Sequence, residues 1–177
     1  RATSLGRELR PSIGYVKLGM EFFYAHGDAG YARVAESGVP IFLDLKLHDI
    51  PNTVAEGLRS LLRLDPRPAI VNVHATGGLD MMKAAAGAVA GQCKLIAVTI
   101  LTSLSDDDIW AAGFETARNA EGHARSLAEL ARRAGLDGVV CSPHDLVGIR
   151  HDLGRDFLTV VPGIRPADAA MQDQKRV

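Results

Sequence analysis

The sequence predicts an α/β fold built on a parallel sheet, and three observations lead to that prediction. Short apolar runs alternate with longer stretches in which apolar residues recur every three or four positions. Hydrophobic residues make up 47% of the 177 residues and aromatic residues only 5%, which favours an aliphatic core over a β-sandwich. The 18 glycines and 8 prolines suit short turns between many elements. Repeated strand–helix units imply right-handed crossovers and therefore parallel strands.

Six short apolar runs are predicted to be buried strands. Each is rich in Val, Ile or Leu and is bounded by Gly, Pro or charged residues. In chain order the predicted strands are residues 14–19, 40–47, 69–75, 94–101, 137–142 and 157–163. Because strands and helices alternate without a break in composition, we expect one domain rather than two joined by a linker.

The stretches between these runs have the apolar spacing of helices. They are residues 29–37, 53–64, 79–90, 120–134 and 145–153, with a further short helix after the acidic cap signal at 105–108. Glycines just past four of the helix ends suit left-handed caps: Gly38, Gly91, Gly135 and Gly154. This pattern alone leaves two architectures open, a doubly wound sheet and a (β/α)8 barrel.

The run at 40–47 carries charge where a central strand is expected to be apolar on both faces. Alternation places Asp44 and Lys46 on one face, about 7 Å apart along the strand. Burying both groups is costly unless they pair or take part in chemistry. One interpretation is therefore a structural ion pair, followed by Asp49 as a helix cap. The other is a functional site.

Lys17 favours the functional interpretation. It lies in the preceding predicted strand, on a face that a barrel could bring beside Asp44. Lys17, Asp44, Lys46 and Asp49 would then form an alternating cluster with no net charge, in which unlike charges stabilise one another. A positioned ammonium in such a cluster can serve as a general acid. His74, which shares a strand face with Asn72, is expected to have a supporting or core role.

The run FLDLKLHDIPNTV contains D-x-K-x-x-D followed by I-P-x-T, and it closely resembles the signature of the orotidine 5'-phosphate decarboxylase family in its bacterial branch. The resemblance continues in family order through KLGMEFF, VNVHATGG, IAVTILTS, GLDGVVCS, VPGIRP and DQKRV. It implies a (β/α)8 barrel that converts orotidine 5'-monophosphate to UMP and CO2, the last step of de novo pyrimidine synthesis. It also implies a homodimer with shared active sites and no metal or organic cofactor.

The resemblance also implies roles for the charged residues. Lys46 corresponds to the proton donor to C6, and Asp44 would lie beside the departing carboxylate. Lys17 would bridge Asp44 and the ribose hydroxyls. Asp49 and Thr53 would enter the site of the partner subunit, where Thr53 touches ribose or phosphate.

Three further residues match ligands of the family's substrate. Thr102 corresponds to the hydroxyl that recognises the pyrimidine amide. Arg165 and Gln174 correspond to ligands on the phosphate side.

The family's first strand carries a ribose-binding Asp and its last strand ends in a phosphate-binding Arg, and neither has a counterpart here. We therefore expect residues 1–177 to form a single barrel domain without its first strand and last strand–helix unit, inactive or poorly stable by itself.

Composition excludes several other classes of protein. The formal net charge of −1 excludes a basic nucleic-acid footprint spread over the chain. No apolar run reaches the 18 or so residues of a membrane-spanning helix. Cys93 and Cys141 lie far apart in apolar runs, so we expect reduced core thiols and a cytoplasmic enzyme.

Two alternative functions stay open from the sequence. One is a Mg²⁺-dependent sugar-phosphate decarboxylase or synthase of the same superfamily, which shares D-x-K-x-x-D. The HDIPNT, LTS and PGIR segments argue against it. The other is a non-catalytic binding domain derived from the barrel, which predicts a broken charged cluster. Lys17, Asp44, Lys46 and Asp49 are all present.

Overall fold

The structure is a computed structural model, and it describes residues 1–164 together with Lys175 and Arg176. Six strands alternate with helices, as the sequence predicts. The strands are β1 (Val16–Gly19), β2 (Ile41–Leu47), β3 (Ile70–His74), β4 (Lys94–Val98), β5 (Gly138–Val140) and β6 (Leu158–Val160). The helices are α1 (Ala2–Leu9), α2 (Met20–Ala35), α3 (Pro51–Leu61), α4 (Gly78–Val89), α5 (Asp106–Ala111), α6 (Ala120–Arg133) and α7 (Pro143–Leu153).

All six strands belong to one parallel sheet, and their order in space is their order in the chain. This order resolves the choice that the sequence left open. A doubly wound sheet reverses its strand order at a switch point, whereas a (β/α)8 barrel adds each new strand on the same side. The described residues therefore form six consecutive strands of a (β/α)8 barrel.

The N-terminal region contains helix that the sequence analysis missed. Helix α1 was not predicted, and α2 begins at Met20 rather than at residue 29, with non-helical φ/ψ at Gly27. Tertiary contacts hold α1 in place: the hydroxyl of Thr3 donates to the carbonyl of Arg33 at 2.7 Å, and Gly6 packs closely against Ser37. An eight-residue helix is marginal without such contacts, so its own sequence carried little signal.

The other helix predictions are confirmed to within three residues at each end, apart from the start of α2. The four glycines proposed as caps all have a positive φ: Gly38, Gly91, Gly135 and Gly154. Within residues 1–164, 175 and 176, no helix is both long and apolar enough to cross a bilayer.

The two faces of the sheet carry different cores. The outer face packs against the helices through residues such as Leu43, Val71 and Val139, all fully buried. The inner face begins with Phe42, Ile70 and Ile96, which form a separate apolar cluster near the amino ends of the strands. On β2, the charged side chains Asp44 and Lys46 follow Phe42 toward the carboxyl end of the strand, the end at which barrel active sites lie.

Both cysteines are free, and Cys141 is fully buried. Burial raises the pKa of the Cys93 thiol to about 11 and that of Cys141 to about 12. Neither thiol is therefore activated as a nucleophile at neutral pH.

Candidate active site

A cluster of polar side chains lies on the inner face of the sheet, toward the carboxyl ends of β1, β2 and β3. Lys17 comes from β1, Asp44 and Lys46 from β2, and Asn72 from β3. Parallel pairing places Lys17 opposite Phe42 and Gly19 opposite Asp44, so the Lys17 side chain reaches Asp44 from the neighbouring strand. The predicted meeting of Lys17 with Asp44 is thus present in the structure.

Asp44 is the centre of this cluster. Its Oδ2 accepts a hydrogen bond from Nζ of Lys17 at 2.8 Å, and its Oδ1 accepts one from Nζ of Lys46 at 2.7 Å. Nδ2 of Asn72 donates to the same Oδ1 at 2.6 Å. The Asp44 side chain is only 9% exposed, against 25% for Lys46 and 55% for Lys17. One buried carboxylate therefore holds two ammonium groups at the edge of a cavity.

Two opposing influences act on the Asp44 carboxyl. Burial raises its pKa, but the hydrogen bonds from Lys17, Lys46 and Asn72 lower it by more. The net result is a pKa below the usual value, so Asp44 is ionised at neutral pH. An ionised Asp44 in turn stabilises the positive charge of both lysines.

The backbone at Lys46 departs from a regular strand. Its φ is +54°, and the pairing of β2 with β3 shifts register between Leu43 and Leu47. A lysine in the left-handed region is unfavourable by about 1 kcal/mol or more, a strain that occurs often at functional sites. The Lys46 N–H, which the shift removes from the regular ladder, donates to Oδ1 of Asn72 at 2.8 Å.

A cavity of about 270 Å³ opens beside the cluster. Lys17, Asp44 and Lys46 line one side of it. The other side comes from β4, β5, β6 and the loops after them, and most of it is apolar. Its residues are Val98, Ile100, Leu101, Thr102, Ser103, Val140, Cys141, Val160 and Pro162. The arrangement is that of a small-ligand site, largely apolar with a few convergent charges.

Thr102, which the family resemblance predicts as a ligand of the pyrimidine ring, lies on this far wall and is 9% exposed. Its carbonyl accepts backbone hydrogen bonds from the N–H groups of Lys175 and Arg176 at 2.9 and 3.0 Å. The side chains of those two residues add ion pairs to Asp108 and Asp145. The two residues that follow the undescribed segment are thereby fastened to the Thr102 loop.

The structure does not bring Asp49 and Thr53 into the cluster of their own chain. Both side chains are exposed where β2 leads into α3. Within the described part of the chain, Asp49 accepts a hydrogen bond from the N–H of Ile50 at 2.6 Å and forms no ion pair. Arg165 and Gln174, the predicted phosphate ligands, lie outside the described residues.

Two histidines lie above the cluster. The rings of His48 and His74 are 5.4 Å apart between centroids. Burial lowers the pKa of His74, and the nearby charges of His48 and Lys46 lower it further. His74 is therefore neutral at neutral pH.

Asn72 is the member of the site that the sequence analysis did not identify. It was noted only as sharing a strand face with His74. It is fully buried, and its carboxamide joins the Lys46 backbone to the Asp44 carboxylate. The available signal was a polar residue on the inner face of an otherwise apolar strand, which is also what an ordinary buried amide would show.

Comparison with known proteins identifies close relatives. The whole chain, residues 1–177, matches the model of the Orotidine 5'-phosphate decarboxylase / HUMPS family. An orotidine 5'-phosphate decarboxylase of Erythrobacter litoralis is 51% identical over 96% of this chain and 74% of its own length. One of Novosphingobium aromaticivorans is 49% identical over 99% of this chain and 76% of its own. The crystal structure of the Lactobacillus acidophilus enzyme superposes with a TM-score of 0.79 at 39% identity, covering 93% of this chain and 77% of that one.

Proposed function

The chain belongs to the orotidine 5'-phosphate decarboxylase family, and we propose how its own residues carry out the reaction for which the family is named. That reaction converts orotidine 5'-monophosphate to UMP and CO2 in pyrimidine biosynthesis. The observation that carries the proposal is the buried Asp44 carboxylate between the ammonium groups of Lys17 and Lys46, at the edge of the cavity.

The chemical problem is a carbanion. When the bond from C6 to the carboxylate breaks, CO2 leaves and the electron pair stays on C6 in an orbital outside the ring's π-system. Stabilisation must then come from fixed charges arranged beforehand around C6. Lys46 provides such a charge, and transfer of a proton from its Nζ to C6 completes UMP. Lys46 then regains a proton from solvent.

Asp44 acts on this step in two ways. Its hydrogen bond to Nζ of Lys46 holds the ammonium in place. Its own negative charge would lie beside the substrate carboxylate, and that repulsion is relieved when CO2 leaves. Lys17 offsets part of the Asp44 charge through Oδ2 and, being more than half exposed, can also reach the ribose hydroxyls.

The apolar side of the cavity strengthens these interactions. Val98, Val140 and Val160 offer no hydrogen bonds, so a bound pyrimidine would displace water and lower the local dielectric. Thr102 lines the same side of the cavity, where its hydroxyl would recognise the pyrimidine amide. Arg165 and Gln174 stay predicted ligands of the phosphate, whose binding energy would help to close and order the site.

The first test is turnover of orotidine 5'-monophosphate by the full-length protein, followed by ultraviolet absorbance. Lys46→Ala should lower kcat by at least about 10⁴-fold, because it removes both the proton donor and the charge beside C6. Lys94→Ala is the matched control, since Lys94 forms a similar ion pair with Asp137 at the opposite ends of the strands. No turnover by the wild type, or an unimpaired Lys46→Ala enzyme, would refute the proposal.

The same assay addresses the metal-dependent alternative. We expect that neither a metal ion nor an organic cofactor is needed, so EDTA should leave the rate unchanged. A rate abolished by EDTA and restored by Mg²⁺ would contradict this expectation and favour the sugar-phosphate class of the superfamily.

We also propose that the enzyme is a homodimer in which Asp49 and Thr53 complete the partner's site. Asp49 is exposed and has no ion pair among the described residues. Apolar side chains are exposed nearby: Ile50 follows it at 66% exposure, and Tyr24 is 74% exposed on α2. Tyr24 and Met20 line a groove together with Lys46 and His48, which connects this surface to the charged cluster. A second copy of the chain would cover it.

Complementation tests the shared site. Asp49→Ala and Lys46→Ala variants should each be inactive, but after subunit exchange a mixed dimer would contain one intact site. Random exchange should restore about a quarter of the wild-type rate. Exchange demonstrated by mass spectrometry without any recovery would show that Asp49 does not act across the interface.

A cytoplasmic location stays our expectation for this enzyme.

A further inference from the structure

The positive φ of Lys46 is not explained by the ion pairs that its side chain forms. Among the described residues only Lys46 and Ala90 are non-glycine residues with a positive φ. Ala90 lies at the end of α4, where left-handed caps are common. Lys46 lies inside a strand, where this conformation is unfavourable and must be held by its surroundings.

Asn72 is placed to hold it. The side chain projects from the middle of β3 and is fully buried. Its Oδ1 accepts from the N–H of Lys46 at 2.8 Å, and its Nδ2 donates to Oδ1 of Asp44 at 2.6 Å. These two partners fix the orientation of the amide. In the reverse orientation, Nδ2 would face the N–H of Lys46, donor against donor, and Oδ1 would face the carboxylate of Asp44, acceptor against acceptor.

We propose that Asn72 is a positioning residue for the decarboxylation. Through one amide it stabilises the left-handed backbone of Lys46 and sets the orientation of the Asp44 carboxylate. Because Oδ1 of Asp44 accepts from both Asn72 and Nζ of Lys46, the amide determines where the ammonium lies relative to the cavity. This inference rests on the proposed function of Lys46 and Asp44.

The first experiment removes the carboxamide and leaves only the β-carbon. In Asn72→Ala the Lys46 N–H and Asp44 each lose a hydrogen bond, and a displacement of the ammonium should lower kcat by about 10- to 100-fold. KM should change much less, since Asn72 does not line the cavity. Tyr31→Phe is the control for simple loss of a buried hydrogen bond: Tyr31 is fully buried and donates to the carbonyl of Pro66 at 2.8 Å.

Asn72→Asp provides a sharper readout. When protonated, the introduced carboxyl group would reproduce the amide, with its O–H donating to Asp44 and its carbonyl oxygen accepting from the Lys46 N–H. When ionised, it would place a second carboxylate against Asp44. Two carboxylates so close share one proton over a raised pH range. The kcat of this variant, relative to wild type, should therefore rise as the pH is lowered.

The groups that titrate around position 72 belong to three strands and one loop. They are Lys17, Asp44, Lys46, His74 and His48. On the β4 side, Asn72 pairs with Ile96, which carries no charge. Because the wild type has the same groups, the ratio of the variant's kcat to the wild-type kcat isolates the effect of the new carboxyl group.

The outcomes separate the two hypotheses. A wild type that does not turn over orotidine 5'-monophosphate defeats the proposed function itself. With an active wild type, an Asn72→Ala enzyme that loses thermal stability like Tyr31→Phe but keeps its kcat overturns the positioning role. An Asn72→Asp enzyme whose kcat ratio does not change with pH overturns it also. If Asn72→Asp fails to fold, the kcat and KM of Asn72→Ala decide.

Discussion

The two sides of the cavity differ in kind. On the side formed by β1 and β2, the charged groups of Lys17, Asp44 and Lys46 pair with one another, and Asn72 of β3, which does not line the cavity, donates to Asp44. On the side formed by β4, β5 and β6, the wall is mainly aliphatic, with Val98, Val140 and Val160. The difference shows how the charges of one barrel can form ion pairs with one another and still act on a bound substrate. Neighbouring strands provide the pairing, and the apolar wall opposite leaves their field directed across the cavity.

The charged side is also where the backbone is irregular. Lys46 of β2 has a positive φ, and the pairing of β2 with β3 shifts register. The pairs β3–β4, β4–β5 and β5–β6 are in regular register. Among the six described strands, the non-glycine residue with a positive φ therefore lies in the strand that carries the proposed proton donor. The regular strands form the rigid wall against which a substrate would be held.

The largest loss of activity on the charged side is expected from removing the charge of Asp44. Asp44→Asn keeps the shape of the side chain but loses the charge that holds Lys17 and Lys46, and kcat should fall by about 10³-fold. Steady-state kinetics of the full-length enzyme measure this. Asp137→Asn is the matched control, because Asp137 forms an ion pair of 2.7 Å with Lys94 and this pair lies away from the cavity. It should change kcat by less than about twofold. Equal effects of the two substitutions would contradict the proposed role.

A smaller loss is expected from the more exposed lysine of the charged side. Lys17→Met should lower kcat/KM by about 100-fold, since it leaves Oδ2 of Asp44 without its ammonium partner and removes a ribose contact. Lys94→Met removes a lysine of similar exposure from a similar pair and should leave kcat/KM unchanged. A Lys17→Met enzyme with wild-type kinetics would show that Lys17 does not contribute to catalysis and that only the residues of β2 and β3 do.

The apolar side is tested by adjacent residues of β5. Val140 faces the cavity, whereas Val139 is fully buried in the outer core. Val140→Thr introduces a hydroxyl opposite the charges and should lower kcat by about tenfold through added polarity in the site. Val139→Thr should cost about 1–3 kcal/mol of unfolding free energy with kcat unchanged. Calorimetry and kinetics on both variants check this, and the reverse pattern would show that the two faces are wrongly assigned.

The smallest effect concerns the pH dependence of stability. Because the pKa of His74 is lowered in the folded protein, the unfolded chain takes up this proton first as the pH falls. The free energy of unfolding should therefore decrease below about pH 6.5, by at most about 1.4 kcal/mol per pH unit. His74→Gln should remove this part of the slope in denaturant titrations, while His144→Gln, at an exposed histidine of α7, serves as control. An unchanged slope in His74→Gln would show that another group is responsible.

Much of the active site was predictable because it depends on local periodicity. The alternation of residues 40–47 correctly placed Asp44 and Lys46 on one face, and Lys17 on a compatible face of the preceding strand. What alternation could not show is that Lys46 reaches Asp44 through a left-handed backbone. That conformation depends on a hydrogen bond to Asn72, 26 residues away in the chain.

The sequence by itself determined the six strands, most of the helices and the residue types of the charged cluster, since these follow from side-chain spacing within single elements. Only the tertiary structure decided the order of the strands, the fastening of α1 to α2 and the role of Asn72. It also showed that Asp49 and Thr53 are exposed and lie outside the hydrogen-bonded cluster of their own chain. The physical reason is range: spacing reports which face a residue occupies, while register between strands decides which atoms of distant segments meet.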